Sequence, residues 1–260
     1  APAAPAAVRG GGTDVPPLSD AQMRLGEKEV LGYYVHSHPL AEHAAVLDAV
    51  TTHGTTGLAG VPARREVVIG GLVAAVKHSA VKQPRNGSTH TRYAMFDLED
   101  MEGLVRTICW PEEFARVGER IRTDEVVIVT GSIDRRAGSD ETNLIVNDLV
   151  PVAAVWSRPV SSVTVRFDES RHGADLLDRL ATVVHRHPGA VPLRLVIELA
   201  DGRRVHVDCD RHAVAWSEAL HAEFVALLGP AAVRATPVVQ RRDGEGARRQ
   251  ASGRPAVRSA

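Results

Sequence analysis

The stretch THTRYAMFDLED, residues 89–100, decides how the rest of the chain is read. Tyr93, Met95 and Asp97 fall on one side of it, and Ala94, Phe96 and Leu98 on the other. That two-residue period belongs to a strand with one face in a core. DMEG (100–103) is turn chemistry, and LVRTICW (104–110) is a further strand. Upstream, EVVIGGLVAAVKHS (66–79) reads as one long strand, with a bulge or bend expected at Gly70-Gly71. Downstream, PEEFARVGERI (111–121) is a short helix with Pro111 in its first turn. DEVVIVTGSIDRR and TNLIVNDLVPV then supply two more strands around the turn AGSDE. Three strands, a helix and two strands is the element order of the OB-fold, a five-stranded Greek-key barrel.

The flanks read differently. Residues 1–19 are rich in Ala, Pro and Gly and are expected to be a flexible linker. A helical lead-in over 20–63 is interrupted at His38-Pro39 and resumes in LAEHAAVLDAV. Beyond the barrel, assigned to 64–152, residues 160–237 mix periods. SVTVRF is strand-like, and GADLLDRLATVVHRH carries an apolar helical stripe. PLRLVIELADGRRVHVDCD is a hairpin turning on Asp201-Gly202. SEALHAEFVALLG is a helix stopped by Gly229, and AAVRATP a last strand. The Arg-rich tail 238–260 is expected to be disordered. The fold class is α+β: a helical lead-in, a five-stranded OB barrel and a small C-terminal α/β domain.

Composition narrows function. With 31 basic and 32 acidic residues, the chain has no global field for nucleic acid or membrane, so any charged surface must be local. Cys109 and Cys209 stand far apart and outside any CxxC, which argues for neither a zinc site nor a disulfide framework. No signal peptide and no bilayer-length apolar run is present, so a cytoplasmic location without membrane contact is expected. The start on Ala1 is what a piece of a longer or processed chain would show.

Nucleotide-binding glycine loops, nucleophile elbows and HExxH are all missing, and no catalytic residue is assigned. Asp97, Glu99 and Asp100 could gather a divalent metal as in a nuclease, but they read better as a solvated strand face and a turn. His36 and His38 lack the further ligands a zinc site needs, and Cys209 with His212 is half of a site. Binding remains. Small barrels hold single strands across strands two and three, with the loops after strands one and four as walls. Lys77, His78, Lys82, Arg85, His90 and Arg92 fill the first hairpin without an acid among them, and Arg135 and Arg136 follow strand four. Tyr93 is the candidate stacking ring. Phe96 reads as core, and Trp110 as either a platform or a plug for the barrel end. Acids nonetheless slightly outnumber bases over 64–150, so binding should be weak and steeply salt-dependent.

As an ordered set, EKEVLGYYVHSHPL (27–40), EVVIGGLVAAVKHSAVK, RYAMFDLEDMEGLVRTICWPEEF and DEVVIVTGSID resemble the C-terminal part of the bacterial replicative DNA polymerase III alpha subunit, among the C-family polymerases. In that family Leu31-Gly32-Tyr33-Tyr34 and His38-Pro39-Leu40 would join a helix-hairpin-helix region to the OB domain. The resemblance implies linker architecture for the histidines and single-stranded template DNA as the ligand. It also implies a clamp-loader tau subunit docked by residues 160–237. The family's polymerase and phosphoesterase-like domains have no counterpart in these residues, so Mg²⁺-dependent nucleotidyl transfer would lie elsewhere and no cofactor is expected here. A free-standing OB protein for RNA or single-stranded DNA, and a purely protein-docking scaffold, are the alternatives left open.

Overall fold

A computed structural model describes residues 39–81, 89–135, 141–173 and 175–238. The 1–19 linker, the lead-in up to residue 38 and the tail from 239 lie outside that set. A 3₁₀ turn, Pro39–His43, leads into α1, Ala44–Val50. The barrel follows: β1 Glu66–Ala80, β2 Arg92–Glu99, β3 Leu104–Cys109, α2 Pro111–Val117, β4 Val126–Arg135 and β5 Thr142–Pro151. The strands close in the order β1-β2-β3-β5-β4, with β3 and β5 parallel and the other neighbouring pairs antiparallel.

The amino-acid pattern explains the closure. β2 alternates because only its Ala94, Phe96 and Leu98 side enters the barrel. Val67–Val73 of β1 and Val127–Val129 of β4 are unbroken apolar runs because both their faces are buried there. Val67, Ile69, Val127 and Val129 fill the barrel interior. Val68, Leu72 and Ile128 point outward into a second core built with Leu47 and Val50 of α1. β1 also serves two neighbours. Glu66 to Leu72 pair with β4, and from Leu72 onward it pairs with β2. Gly70 and Gly71 sit at this handover. A Cβ on Gly70 would lie 2.5 Å from Leu47 Cδ2, and one on Gly71 would lie 2.7 Å from the Glu99 carbonyl oxygen.

The bulge expected at Gly70-Gly71 lies elsewhere. Pairing with β4 runs unbroken through both glycines, and the register slips between Ala74 and Lys77. Ala75 there has φ 48°, in the left-handed region. Glycine answers a close approach at the first place, and an extra residue bends the strand at the second.

The second sheet has the order β8-β7-β6-β9, from β6 Val160–Asp168, β7 Pro188–Glu198, β8 Arg204–Val214 and β9 Val233–Pro237. α3, Asp175–Arg186, crosses between the parallel β6 and β7, and α4, Glu218–Leu228, precedes β9. The hairpin turns at Gly202 (φ 80°), Ser217 Oγ accepts from the Leu220 N–H at the head of α4, and Gly229 (φ 89°) ends that helix. Val163, Val165, Leu180, Leu220 and Phe224 fill the same outer core as Val68 and Ile128. The second sheet is therefore bonded to the back of the barrel through shared apolar packing. Arg158 seals the seam, donating to Thr130 Oγ1 (2.8 Å) and lying 3.5 Å from Asp148.

An alanine held left-handed costs about 1–2 kcal/mol. Ala75→Gly should therefore raise stability by roughly 0.5–1 kcal/mol after the entropy penalty of glycine. Urea denaturation with an unchanged m-value is the check.

Candidate nucleic-acid interface

The outer side of β2, β3 and β5 is where a ligand could lie, because the backs of β1 and β4 are covered. Cross-strand register lays it out in rows. Ser79 stands opposite Tyr93, and Trp110 follows the last residue of β3. The Tyr93 and Trp110 ring centroids are 5.6 Å apart at 33°, and Trp110 is 42% exposed. The next row runs Lys77, Met95, Ile108 and Ile145. Beneath it Asp97 faces Arg106 at 3.8 Å, beside Asn143. Exposed Leu104 and Met101 finish the face. The arrangement is an aromatic shelf, a half-buried apolar row and a flanking lysine. Stacked bases and one phosphate need those groups.

The bulge decides which hairpin cations reach this face. Inward residues of β1 are odd-numbered up to Val73. One extra residue reverses the parity, so Lys77 pairs with outward Met95 and His78 with inward Ala94. Lys77 and Tyr93 thus share the outer face. His78 and Arg92 turn over the barrel's rim and line a separate cleft beside α2. Arg135 is engaged within the fold: its Nη2 donates to the carbonyls of Leu58 and Ala59, both at 2.6 Å, and its Nε to Thr142 Oγ1. Lys82, Arg85 and Arg136 lie outside the described residues. Trp110, which the sequence left open between platform and plug, is half exposed and paired with Tyr93. Ile108, Ile145 and Arg106 were not singled out beforehand. Their alternation along β3 and β5 was the available signal, but strand order was needed to join them.

A model described as an OB-fold nucleic acid binding domain matches residues 67–152. The DNA polymerase III subunit alpha of Haemophilus influenzae is 26% identical over 227 residues, covering 85% of this chain and 19% of that protein. The corresponding subunit of Mycobacterium tuberculosis H37Rv is 32% identical over 208 residues, covering 78% of this chain and 17% of that protein. The chain is homologous to part of the bacterial DNA polymerase III alpha subunit. It spans less than a fifth of the length of these relatives. Among solved structures, the S. pombe Stn1–Ten1 complex matches 36% of this chain and 61% of its own at 20% identity and TM-score 0.26. A replication protein A heterotrimer bound to single-stranded DNA matches 36% and 62% at 16% identity and TM-score 0.25.

Within this alpha-like module the acids of the β2–β3 turn are placed structurally. Asp100 accepts from the Thr55 N–H and Oγ1, both at 2.6 Å, and from the N–H groups of Glu102 (2.8 Å) and Gly103 (2.9 Å). Burial pushes its carboxyl up, but those bonds, led by Thr55, together outweigh it and hold the pKa below the usual value. Thr56 Oγ1 donates to Glu102 beside it. These contacts fasten the β2–β3 turn to the segment entering β1. Among the described residues, no three His, Cys, Asp or Glu side chains gather as metal ligands would, and no helix is long and apolar enough to cross a membrane. Burial, with Glu113 nearby, pushes the Cys109 thiol up to about 12. His212 packs edge-on against His185 at 5.3 Å, and Cys209 is half-buried on β8. His36 and His38 lie outside the described residues.

Asp100→Ala leaves several donors without their acceptor and should cost about 2 kcal/mol at pH 7. A folded-state pKa below 3.8 means the contribution is complete above that pH and fades as pH falls through the lowered folded value. Urea midpoints of wild type and variant should therefore converge only below pH 3.8.

Proposed function

We propose that this chain is the single-strand-binding, holoenzyme-contacting module of a replicative polymerase alpha subunit. The observation that carries the reading is the Tyr93–Trp110 ring pair on an otherwise uncovered barrel face, with Lys77 in register one row away. Base stacking on such rings tolerates any sequence, which suits a template that must pass unread by this module. Backbone charge falls to Lys77 and to hairpin bases such as Lys82 and Arg85. Acids on the same face, Asp97 and Glu99, keep affinity low, so a passing strand is held and released. On this reading nucleotidyl transfer and its Mg²⁺ belong to sequence outside these 260 residues. The clamp-loader tau subunit is the partner proposed for residues 160–237, supported by the homology spanning that part of the chain.

Fluorescence anisotropy of a labelled single-stranded oligonucleotide, at low and near-physiological salt, tests the ligand. Binding should fall steeply with salt and resist duplex competitor; no binding at low salt would sink the reading. Trp110→Ala should weaken binding roughly tenfold or more. Lys77→Ala should weaken all sequences alike and flatten the log–log salt slope by about 0.7. Because the second sheet shares the barrel's outer core, tau docking is best measured on the whole chain. Isothermal titration with purified tau should show saturable binding, and its absence would remove that partner.

A further inference from the structure

The cleft that receives His78 and Arg92 lies between the β1–β2 hairpin and α2, and has a volume of about 530 Å³. That is ample for one nucleotide. The Arg92 guanidinium lies over the Phe114 ring at 5.8 Å, and the His78 imidazole meets the same ring edge-on at 5.7 Å. A guanidinium held over a ring face is attracted by the ring's quadrupole, which keeps the Arg92 charge at the cleft. Thr89, His90 and Thr91 line the cleft from the hairpin side, while Glu119 lines it from the side of α2. The basic side therefore belongs to the hairpin, and the chemistry offered there is recognition of a phosphate with a ring beneath it.

Continuity with the aromatic shelf gives the ligand. Tyr93 and Trp110 stand on the outer face, while Arg92 and Pro111, their immediate chain neighbours, line the cleft. The two sites meet along one rim. Resting on the single-strand reading above, we infer that the cleft is a second subsite of the same ligand. A strand stacked on Tyr93 and Trp110 turns over the rim, and the next phosphate enters between Arg92 and His78. The turn makes the site longer than the flat face and gives the bound strand a kink at the Trp110 edge.

The test is photo-crosslinking of the full chain to a set of twelve-nucleotide oligothymidylates, each carrying one 5-iodouracil, with peptide mapping. Mapped to the residue, central positions should crosslink to Tyr93 or Trp110, and positions toward one end to His78 or Phe114. Arg92→Gln should remove the second set, keep the first and lower affinity roughly tenfold. An unchanged thermal midpoint would show that the variant is folded. Crosslinks at the shelf with none at the cleft overturn the cleft subsite and leave the shelf standing. Crosslinks to neither overturn the single-strand reading itself.

Discussion

The architecture depends on the first half of β1 and on β4 being buried on both faces. A small barrel usually shows solvent the outside of its strands. Here Val68, Leu72 and Ile128 carry the outside into a second core with α1 and the β6–β9 sheet. Removing that cover would return large aliphatic side chains to water, each worth about 1.5–3 kcal/mol in transfer free energy. The requirement extends to residues that look incidental. Gly70 is needed because Leu47 of α1 presses against the strand at that point. Arg158 is needed because the seam between the sheets leaves Thr130 and Asp148 to be satisfied.

Covering the back also orients the front. With β1 and β4 occupied, the β2–β3–β5 surface is the exposed flank, and its composition is mixed rather than basic. Asp97 pairs with Arg106, and Asp100 is drawn into the turn by Thr55. Arg106 aside, the described cation in register on this face is Lys77, at the hairpin edge. On the proposed single-strand reading, stacking rather than charge would hold the ligand on the face, and charge would act where the ligand leaves it.

The sequence disclosed elements better than surfaces. Alternation in RYAMFDLE, the Asp201-Gly202 turn and the Gly229 stop all act within a few residues, and each formed as its local chemistry dictates. The two-faced burial of β1 was written in its unbroken apolar run, but the identity of the second covering layer needed residues almost a hundred positions away. The interface was the least legible part. Lys77 and His78 look equivalent in the hairpin, yet one extra residue near Ala75 sends them to opposite sides of the strand. No local preference marks that spot, since alanine is a poor choice for a left-handed position. Arg135 looked like one more cation in a loop, and only the folded chain brings the Leu58 and Ala59 carbonyls to it.

The shared core has a further consequence for how this chain can work in an assembly. Two modules joined by a flexible tether keep independent orientations, and what is bound to one must search for what is bound to the other. Here the segment between barrel and second sheet is a 3₁₀ turn, Val152–Ser157, whose Trp156 stacks on Trp216 and His221. Those ring contacts hold the joint against the start of α4. A partner gripping the second sheet would set the heading of any strand on the barrel face, as a handle sets the heading of a blade.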